Sequence, residues 1–141
     1  MQIGIDLGAS KIESVLLDKD GKEHFREREN SPNNYIETLV SIEKIVTNIE
    51  KKFNSNFNVG LGHPGSTNIK SGLLQNANNS PWMNNKFFQK DISKKLDRAV
   101  YCENDANCFA LSESVDGSAS QHKVVFGIIL GSGCGGGLIV D

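Results

Sequence analysis

The stretch Ile3-Gly4-Ile5-Asp6-Leu7-Gly8-Ala9-Ser10-Lys11 joins a short apolar strand to a glycine-containing turn. A similar combination closes the chain, in Ile128-Ile129-Leu130-Gly131-Ser132-Gly133-Cys134-Gly135-Gly136-Gly137. Backbone N–H groups at such turns can hold phosphates. Between the two turns lies Glu103-Asn104-Asp105-Ala106-Asn107, in which one aspartate is flanked by two amides. Together the three segments predict a site that holds a nucleotide polyphosphate and activates a hydroxyl group.

Composition places the chain among ordinary globular proteins. Its 141 residues suffice for one domain with a sizeable core and are too few for two substantial domains. The net charge is -2 and the Lys and Arg residues form no dense block, so nucleic-acid binding is not expected. An apolar strand begins directly after Met1, so we expect neither a signal peptide nor a membrane span. Cysteines 102, 108 and 134 lack the spacing of disulfide or zinc sites, which favours reduced thiols in the cytoplasm.

An antiparallel meander is predicted for the amino-terminal part of the chain. Strands are expected at residues 2–5, 12–17 and 22–29, where apolar and β-branched residues recur. Asp18-Lys19-Asp20-Gly21 between the second and third strands is typical of a hairpin turn. The first glycine turn then connects strands one and two.

Helices and strands alternate in the rest of the chain. Asn34 and Glu37 have the spacing of a capping box before an apolar run of helical period. The lack of alternation in residues 57–61 favours a central parallel strand covered on both faces. A lone hairpin is only marginally stable in water. The carboxyl-terminal hairpin should therefore either pair with the preceding sheet or pack against further residues that follow it in a longer protein. The elements predicted after the meander are helix 35–53, strand 57–61 closed by Gly62-His63-Pro64-Gly65, loop 66–85, helix 86–96, strand 99–102, helix 106–115 and hairpin strands 124–130 and 138–140.

Five motifs in a fixed order resemble the ROK family of bacterial sugar kinases and repressors. The resemblance implies an α/β fold of the actin-like ATPase (ribonuclease H-like) class, with a three-stranded antiparallel meander continued by parallel strands and flanking helices. In that family ATP and sugar lie in a cleft between two such domains. The resemblance covers the whole chain and rests on Asp6-Leu7-Gly8-Ala9-Ser10-Lys11, Gly60-Leu61-Gly62-His63-Pro64-Gly65, Asn76-Ala77-Asn78, residues 103–110 and residues 130–137.

The resemblance assigns residues to the sugar. Asp105 matches the general base that takes a proton from the attacking sugar hydroxyl. Asn78 and Asn104 match positions that hydrogen-bond sugar hydroxyls, a role that suits amides because each has donors and an acceptor. Gly65 matches a glycine that lines the sugar pocket. The residue types alone also fit a helix N-cap at Asp105 and ordinary turns at the other three positions. For His63 we expect a structural role, with a proton relay as the alternative.

The resemblance also implies ATP and Mg²⁺ as cofactors. Asp6 matches the carboxylate that positions Mg²⁺, through water, against the phosphates. Lys11 fits either a phosphate contact or a solvated strand lysine, and the second is favoured. Ala9 departs from the usual glycine and would weaken nucleotide binding if its position required a positive φ. The backbone N–H groups expected to hold the phosphates are those of Gly8, Ala9, Ser10, Gly131, Ser132 and Gly133.

Members of this family are about twice as long as the chain, a size that divides into two domains. We therefore expect residues 1–121 to form an amino-terminal small α/β domain that carries the catalytic aspartate. Residues 122–141 are expected to be the first hairpin of a second domain, whose remainder, with its structural zinc motif, is absent. The parent protein should be an ATP-dependent hexose kinase that transfers the γ-phosphoryl group to a sugar hydroxyl. The isolated chain should be inactive.

The sugar and the function class leave alternatives. The segment Gln75-Asn76-Ala77-Asn78-Asn79-Ser80, followed by Trp82, is most similar to fructokinase- and mannokinase-type members, so a fructose-type sugar is the first expectation. An N-acetylglucosamine or glucose kinase is the second, and a non-catalytic sugar-binding or regulatory module, favoured by Ala9, is the third. A repressor is disfavoured because the first turn begins at Ile3 and leaves no room for a DNA-binding segment. The expected partners are a sugar and ATP, without nucleic acid or membrane, and a homo-oligomer is compatible.

Overall fold

The computed structural model describes residues 1–130 and 133–141. None of the helices within this described part combines the length and apolar character needed to cross a bilayer. The elements, in chain order, are β1 (Gln2–Leu7), β2 (Lys11–Leu17), β3 (Glu23–Asn30), α1 (Tyr35–Phe53), β4 (Asn58–His63), β5 (Ser66–Thr67), β6 (Leu74–Gln75), a 3₁₀ turn (Pro81–Met83), α2 (Phe88–Lys95), β7 (Val100–Asn104), α3 (Asp105–Val115), β8 (Val124–Leu130) and β9 (Cys134–Val140).

The main sheet has five strands in the order β3-β2-β1-β4-β7. β2 pairs antiparallel with both β1 and β3, whereas β4 pairs parallel with both β1 and β7. The predicted hairpin turn forms, because Gly21 adopts φ +78° and its N–H donates to the Asp18 carbonyl at 3.1 Å. The predicted meander continued by parallel strands is therefore confirmed.

The hydrophobic core lies between one face of this sheet and the helices α1 and α2. α1 begins where predicted, since the Asn34 side chain accepts a hydrogen bond from the Glu37 N–H at 2.9 Å. Burial of an apolar stripe on a helix supplies most of its stability in a protein. Core side chains that are at most 3% exposed include Ile3, Ile5, Leu7, Ile12, Leu16, Ile42, Val46, Ile49, Val59, Leu61, Phe88, Ile92 and Val100.

Strand β4 is less enclosed than its sequence suggested. Val59, Leu61 and His63 are buried on the core face, while Gly60 and Gly62 lie on the opposite face and are half-buried. A β-carbon placed on Gly60 would meet nothing within 4 Å. The expectation that this strand is covered on both faces is therefore wrong for its amino-terminal half, since α3 covers the other face only near Gly62.

Several predicted boundaries also change. β4 continues through Gly62 and His63, which the turn signals had placed in a loop, because both residues pair with β7. The predicted loop 66–85 contains the short β5–β6 pair and a 3₁₀ turn. The return strand β9 begins at Cys134, inside the predicted glycine turn. α2 begins at Phe88, two positions after the predicted start at Lys86.

The carboxyl-terminal hairpin forms a separate sheet of β8 and β9. One of its faces packs on α3 so closely that a β-carbon on Gly137 would lie 2.2 Å from the Ala106 carbonyl oxygen. Among the described residues the hairpin does not pair with the preceding sheet, which was one of the two possibilities that its sequence suggested, and it packs on a helix instead. Its other face is open, with side chains 53–79% exposed at Val124, Phe126, Ile128, Leu130, Leu138 and Val140.

Candidate active site

Two aspartates meet at the carboxyl-terminal edge of the parallel strands. The register pairs Asp6 of β1 with Gly62 of β4, and Gly62 with Glu103 of β7. Because α3 follows β7 directly, its first residue, Asp105, lies at the same edge. A β-carbon on Gly62 would be 3.7 Å from the Asp105 Cα, so the glycine leaves room for α3 above the strand. The edge where Asp6 and Asp105 meet is therefore the candidate active site.

Asn104, not Asp105, caps α3. Its Oδ1 accepts hydrogen bonds from the N–H groups of Ala106 at 3.0 Å and Asn107 at 3.2 Å. Its Nδ2 donates to the Gly65 carbonyl at 2.7 Å and to Asp105 Oδ1 at 3.0 Å. All four bonding positions of the amide are thus occupied by protein. Asn104 holds Gly65 and Asp105 in place, and its contact with sugar stays a prediction.

Within the part of the chain that the structure describes, Asp105 keeps one carboxylate oxygen free of protein partners. Its Oδ1 accepts from the Ala106 N–H at 2.8 Å and from Asn104 Nδ2. Among the described residues, its Oδ2 accepts no hydrogen bond, and the side chain is half-buried. A carboxylate that is held by one oxygen and open at the other has the geometry of a proton acceptor.

Asp6 lies in a row of charged residues that crosses three strands. The antiparallel registers pair Asp6 with Glu13 and Glu13 with Arg28, and Arg28 forms an ion pair with Glu13. Water reaches Asp6, yet the surrounding protein removes part of its hydration. This desolvation raises the pKa of Asp6, and the negative charges of Asp105 and Glu13 raise it further, against a smaller lowering by Arg28. The negative charge of ionised Asp6 is therefore unfavourable beside Asp105 and Glu13 unless a cation is bound nearby.

The charged row and the thiol beside it were missed by sequence reasoning. Glu13 and Arg28 were predictable, because the turn at residues 8–10 sets Glu13 opposite Asp6 and the hairpin turn at residues 18–21 sets Arg28 opposite Glu13. Cys108 has its Sγ 3.6 Å from where a β-carbon on Gly62 would lie. Burial and nearby carboxylates raise the pKa of the Cys108 thiol, so it is protonated at neutral pH. No local signal placed this cysteine over the strand.

The first glycine turn uses one of its predicted donors internally. The Gly8 N–H donates to the Lys11 carbonyl at 2.9 Å, so it does not point to an approaching phosphate in this conformation. Ala9 has no positive φ, and the concern that it strains the turn is therefore removed. The Lys11 ammonium donates to Asn30 Oδ1 on the exposed surface. This contact agrees with the favoured role of a solvated strand lysine.

Gly65 anchors residues 75–80, the asparagine-rich loop. It has φ +79°, and a β-carbon there would lie 2.4 Å from the Gln75 carbonyl oxygen and 2.8 Å from the Ala77 nitrogen. Only glycine fits this close approach. Asn78 is exposed, and within the described chain its side chain forms no hydrogen bond. Its amide is thus available to a ligand, and its predicted sugar contact remains a prediction.

Gly133, which directly precedes β9, approaches the same loop. Gly131 and Ser132, two of the predicted phosphate donors, lie outside the described residues. At Gly133, a β-carbon would be 3.1 Å from Asn79 Nδ2. The end of β8 and the start of β9 therefore lie beside the asparagine-rich loop.

His63 belongs to the core. It is 1% exposed, its Nδ1 is 3.1 Å from the Pro64 carbonyl oxygen, and its ring stacks edge-to-face on Phe88 at 5.7 Å. The alternation of β4 directs His63 to the core face and Gly62 to the site. This placement agrees with the expected structural role and argues against a proton relay.

Comparison with known proteins identifies the family. The model of the ROK family matches residues 2–141. The chain belongs to the ROK family. Two curated relatives, both N-acetyl-D-glucosamine kinases, come from Histophilus somni (41% identical) and Haemophilus influenzae (39% identical). Each alignment covers 100% of this chain and 46% of the relative, so the chain spans about half the length of these ROK proteins.

Solved structures of two sugar kinases share the fold. A ROK family glucokinase from Streptomyces griseus, in complex with glucose and AMPPNP, has a TM-score of 0.87 at 27% identity, covering 99% of this chain and 44% of that one. An inorganic polyphosphate/ATP-glucomannokinase from an Arthrobacter species has a TM-score of 0.87 at 28% identity. The match covers 99% of this chain and 58% of the glucomannokinase. The predicted actin-like ATPase fold is therefore confirmed. The fructose-type preference finds no support among these relatives, whereas the N-acetylglucosamine or glucose alternative agrees with them.

Substituting Gly65 should cost far more stability than substituting Gly60. Gly65→Ala is expected to lower the free energy of unfolding by about 2–4 kcal/mol, because it combines a positive φ with a backbone clash. Gly60→Ala, on the same strand-and-turn segment but facing open space, should change it by less than about 1 kcal/mol. Urea denaturation of both variants checks this. Equal effects would contradict the packing described at Gly65.

Asp6→Asn should stabilise the fold at neutral pH. Because the folded-state pKa of Asp6 is raised, the folded protein binds this proton more tightly than the unfolded chain, and ionisation of Asp6 costs stability. The gain in urea midpoint should therefore grow as pH rises from about 4 through the raised pKa, and should vanish below about pH 3. Asp20→Asn, at a side chain 75% exposed, is the matched control and should show no such gain. A midpoint for Asp6→Asn that is lower than wild type at pH 7 would contradict this account.

Proposed function

We propose that the full-length protein is an ATP-dependent sugar kinase that transfers the γ-phosphoryl group of ATP to a hydroxyl of N-acetyl-D-glucosamine. The observation that carries the proposal is the meeting of Asp6 and Asp105 across Gly62 at one sheet edge. The N-acetyl-D-glucosamine kinases among the relatives support this sugar, with glucose as the alternative.

Asp105 is the proposed general base. A sugar hydroxyl is a weak nucleophile, and a positioned carboxylate that accepts its proton contributes about 10²–10⁴-fold to the rate. The open Oδ2 of Asp105 fits this role, while the bonds to Oδ1 keep the carboxylate from rotating away. Asn78 offers its free amide to the sugar hydroxyls. Asn104 and Gly65 complete the proposed sugar side, where Asn104 also fixes the position of Asp105.

Asp6 is the proposed contact for Mg²⁺ bound to ATP. The negative charges of Asp105 and Glu13 around it would be relieved by a cation, which fits a metal site. Among the described residues, no three His, Cys, Asp or Glu side chains converge as a complete metal site. This also fits, because Mg²⁺ keeps several waters and binds through one or two carboxylates plus phosphate oxygens. When bound, Mg²⁺ would neutralise charge on the transferred phosphoryl group.

The two glycine turns are the proposed phosphate contacts. In the first turn, the N–H groups of Ala9 and Ser10 are proposed to contact the phosphates. The Gly8 N–H could do so only after its hydrogen bond to the Lys11 carbonyl breaks. Gly133, with Gly131 and Ser132, is proposed for the second side. The unstrained backbone at Ala9 removes the observation that favoured a non-catalytic module.

We also propose the domain division at residues 121 and 122. Residues 1–121 contain the five-stranded sheet and Asp105, and residues 122–141 form the hairpin, which would begin a second domain. The open apolar face of the hairpin supports this, because exposed patches of this kind mark surfaces that bury against other protein. The structural zinc site is proposed for that second domain. The three free thiols and the use of ATP favour the cytoplasm.

Asp105→Asn should abolish most of the kinase activity of the full-length protein. We expect kcat with N-acetyl-D-glucosamine and MgATP to fall by about 10²–10⁴-fold, because the amide cannot accept the hydroxyl proton. A coupled assay of ADP release measures this. Asp116→Asn, at the exposed far end of α3, is the matched control and should keep normal turnover. Normal activity in Asp105→Asn would refute the assignment of the base.

Residues 1–141 alone should show no measurable turnover in the same assay. The reason is that the proposed cleft needs both domains, and positioning of the two substrates provides much of the rate enhancement. Rapid phosphorylation of N-acetyl-D-glucosamine by the 141-residue chain would refute the division of the cleft between two domains.

A further inference from the structure

Asn84 supports the asparagine-rich loop through a side-chain hydrogen bond. It follows the 3₁₀ turn Pro81–Met83, and its Oδ1 accepts a hydrogen bond from the Ala77 N–H at 2.9 Å. Ala77 is 0% exposed, so this N–H is cut off from water and needs a protein acceptor. Asn84 is the residue that provides it.

The loop around Ala77 is held by short-range hydrogen bonds. The Asn78 N–H donates to the Asn76 carbonyl at 3.0 Å, and the Ser80 N–H donates to the Ala77 carbonyl at 3.1 Å. Asn76 adopts φ +60°, which turns the chain sharply just before Ala77. The position of the exposed Asn78 side chain therefore depends on where Ala77 is held.

The same loop is linked to the proposed catalytic helix. Gly65 lies directly against Ala77, and the Gly65 carbonyl accepts the hydrogen bond from Asn104 at the start of α3. Asn84, Ala77, Gly65 and Asn104 thus form a continuous series of contacts that ends beside Asp105. Asn84 enters this series through its hydrogen bond with the Ala77 N–H.

We infer that Asn84 is a positioning residue for the sugar. By holding Ala77 it sets the distance between the Asn78 amide, on one side of the sugar, and the Asp105 carboxylate on the other. This inference rests on the proposed kinase function. It concerns the sugar side, because within residues 1–130 and 133–141 the one side-chain hydrogen bond of Asn84 goes to Ala77 and to neither glycine turn.

Two substitutions at Asn84 separate the acceptor from the rest of the side chain. Asn84→Ala removes the acceptor, whereas Asn84→Asp keeps an oxygen at the same distance. Asn68→Ala is the matched control, since it removes an Oδ1 that accepts from the Lys70 and Ser71 N–H groups elsewhere in the segment 66–85. All three are made in the full-length protein.

For Asn84→Ala we expect the KM for N-acetyl-D-glucosamine to rise about tenfold, as for the loss of one buried hydrogen bond. The KM for ATP should stay unchanged and kcat should stay within about threefold. Asn84→Asp and Asn68→Ala should retain the wild-type sugar KM. Hydrogen exchange of the Ala77 amide should speed up in Asn84→Ala alone, which reports on the loop without reference to activity.

An active Asn84→Ala enzyme with an unchanged sugar KM would overturn the inference. So would equal losses in Asn84→Ala and Asn84→Asp, because the acceptor oxygen would then not matter, or a matching rise in the KM for ATP. A wild-type protein that phosphorylates no hexose would instead refute the proposed function. That result would also refute the role of Asn84 in positioning a sugar. Hydrogen exchange of the Ala77 amide would still show whether Asn84 holds the loop.

Discussion

The parallel register of β1, β4 and β7 is the constraint on which the site depends. It sets Asp6 beside Gly62, and it ends β7 where α3 can begin with Asp105 over the same glycine. The register is fixed by the core, because the odd-numbered residues of β1 are buried and a slip by one residue would turn them outward. Packing of apolar side chains on one face thus determines the placement of two carboxylates at the edge.

This placement carries an electrostatic cost. Asp6 loses hydration and faces the negative charges of Asp105 and Glu13, while Arg28 is engaged by Glu13 and offsets only part of the repulsion. Perturbed pKa values of this kind cluster at functional sites. A bound cation would remove the cost, which is why the raised pKa of Asp6 and its proposed contact with Mg²⁺ have one physical origin.

Local signals were sufficient for most of the fold and insufficient for the division of roles at the site. The N-cap at Asn34 and the hairpin turn at residues 18–21 depend on near neighbours, and both were predicted correctly. Which of Asn104 and Asp105 caps α3 depends on the Gly65 carbonyl, 39 residues away in sequence, and either side chain has cap chemistry. The two-residue strands β5 and β6 are too short to show a period. The fructose-type preference finds no support among the relatives, and the sequence could not decide the sugar because an asparagine amide bonds equally well to the hydroxyls of many sugars.

The central claim is that Asp105 and Asp6 face one cleft in which a sugar hydroxyl meets the γ-phosphoryl group of ATP. A crystal structure of the full-length protein with N-acetyl-D-glucosamine and an unreactive ATP analogue tests it most directly. We expect the Asp105 carboxylate within about 3 Å of the sugar hydroxyl that points at the γ-phosphoryl group, and Asp6 on the side of the phosphates. A sugar bound away from Asp105, or a nucleotide on a different edge of the sheet, would contradict it.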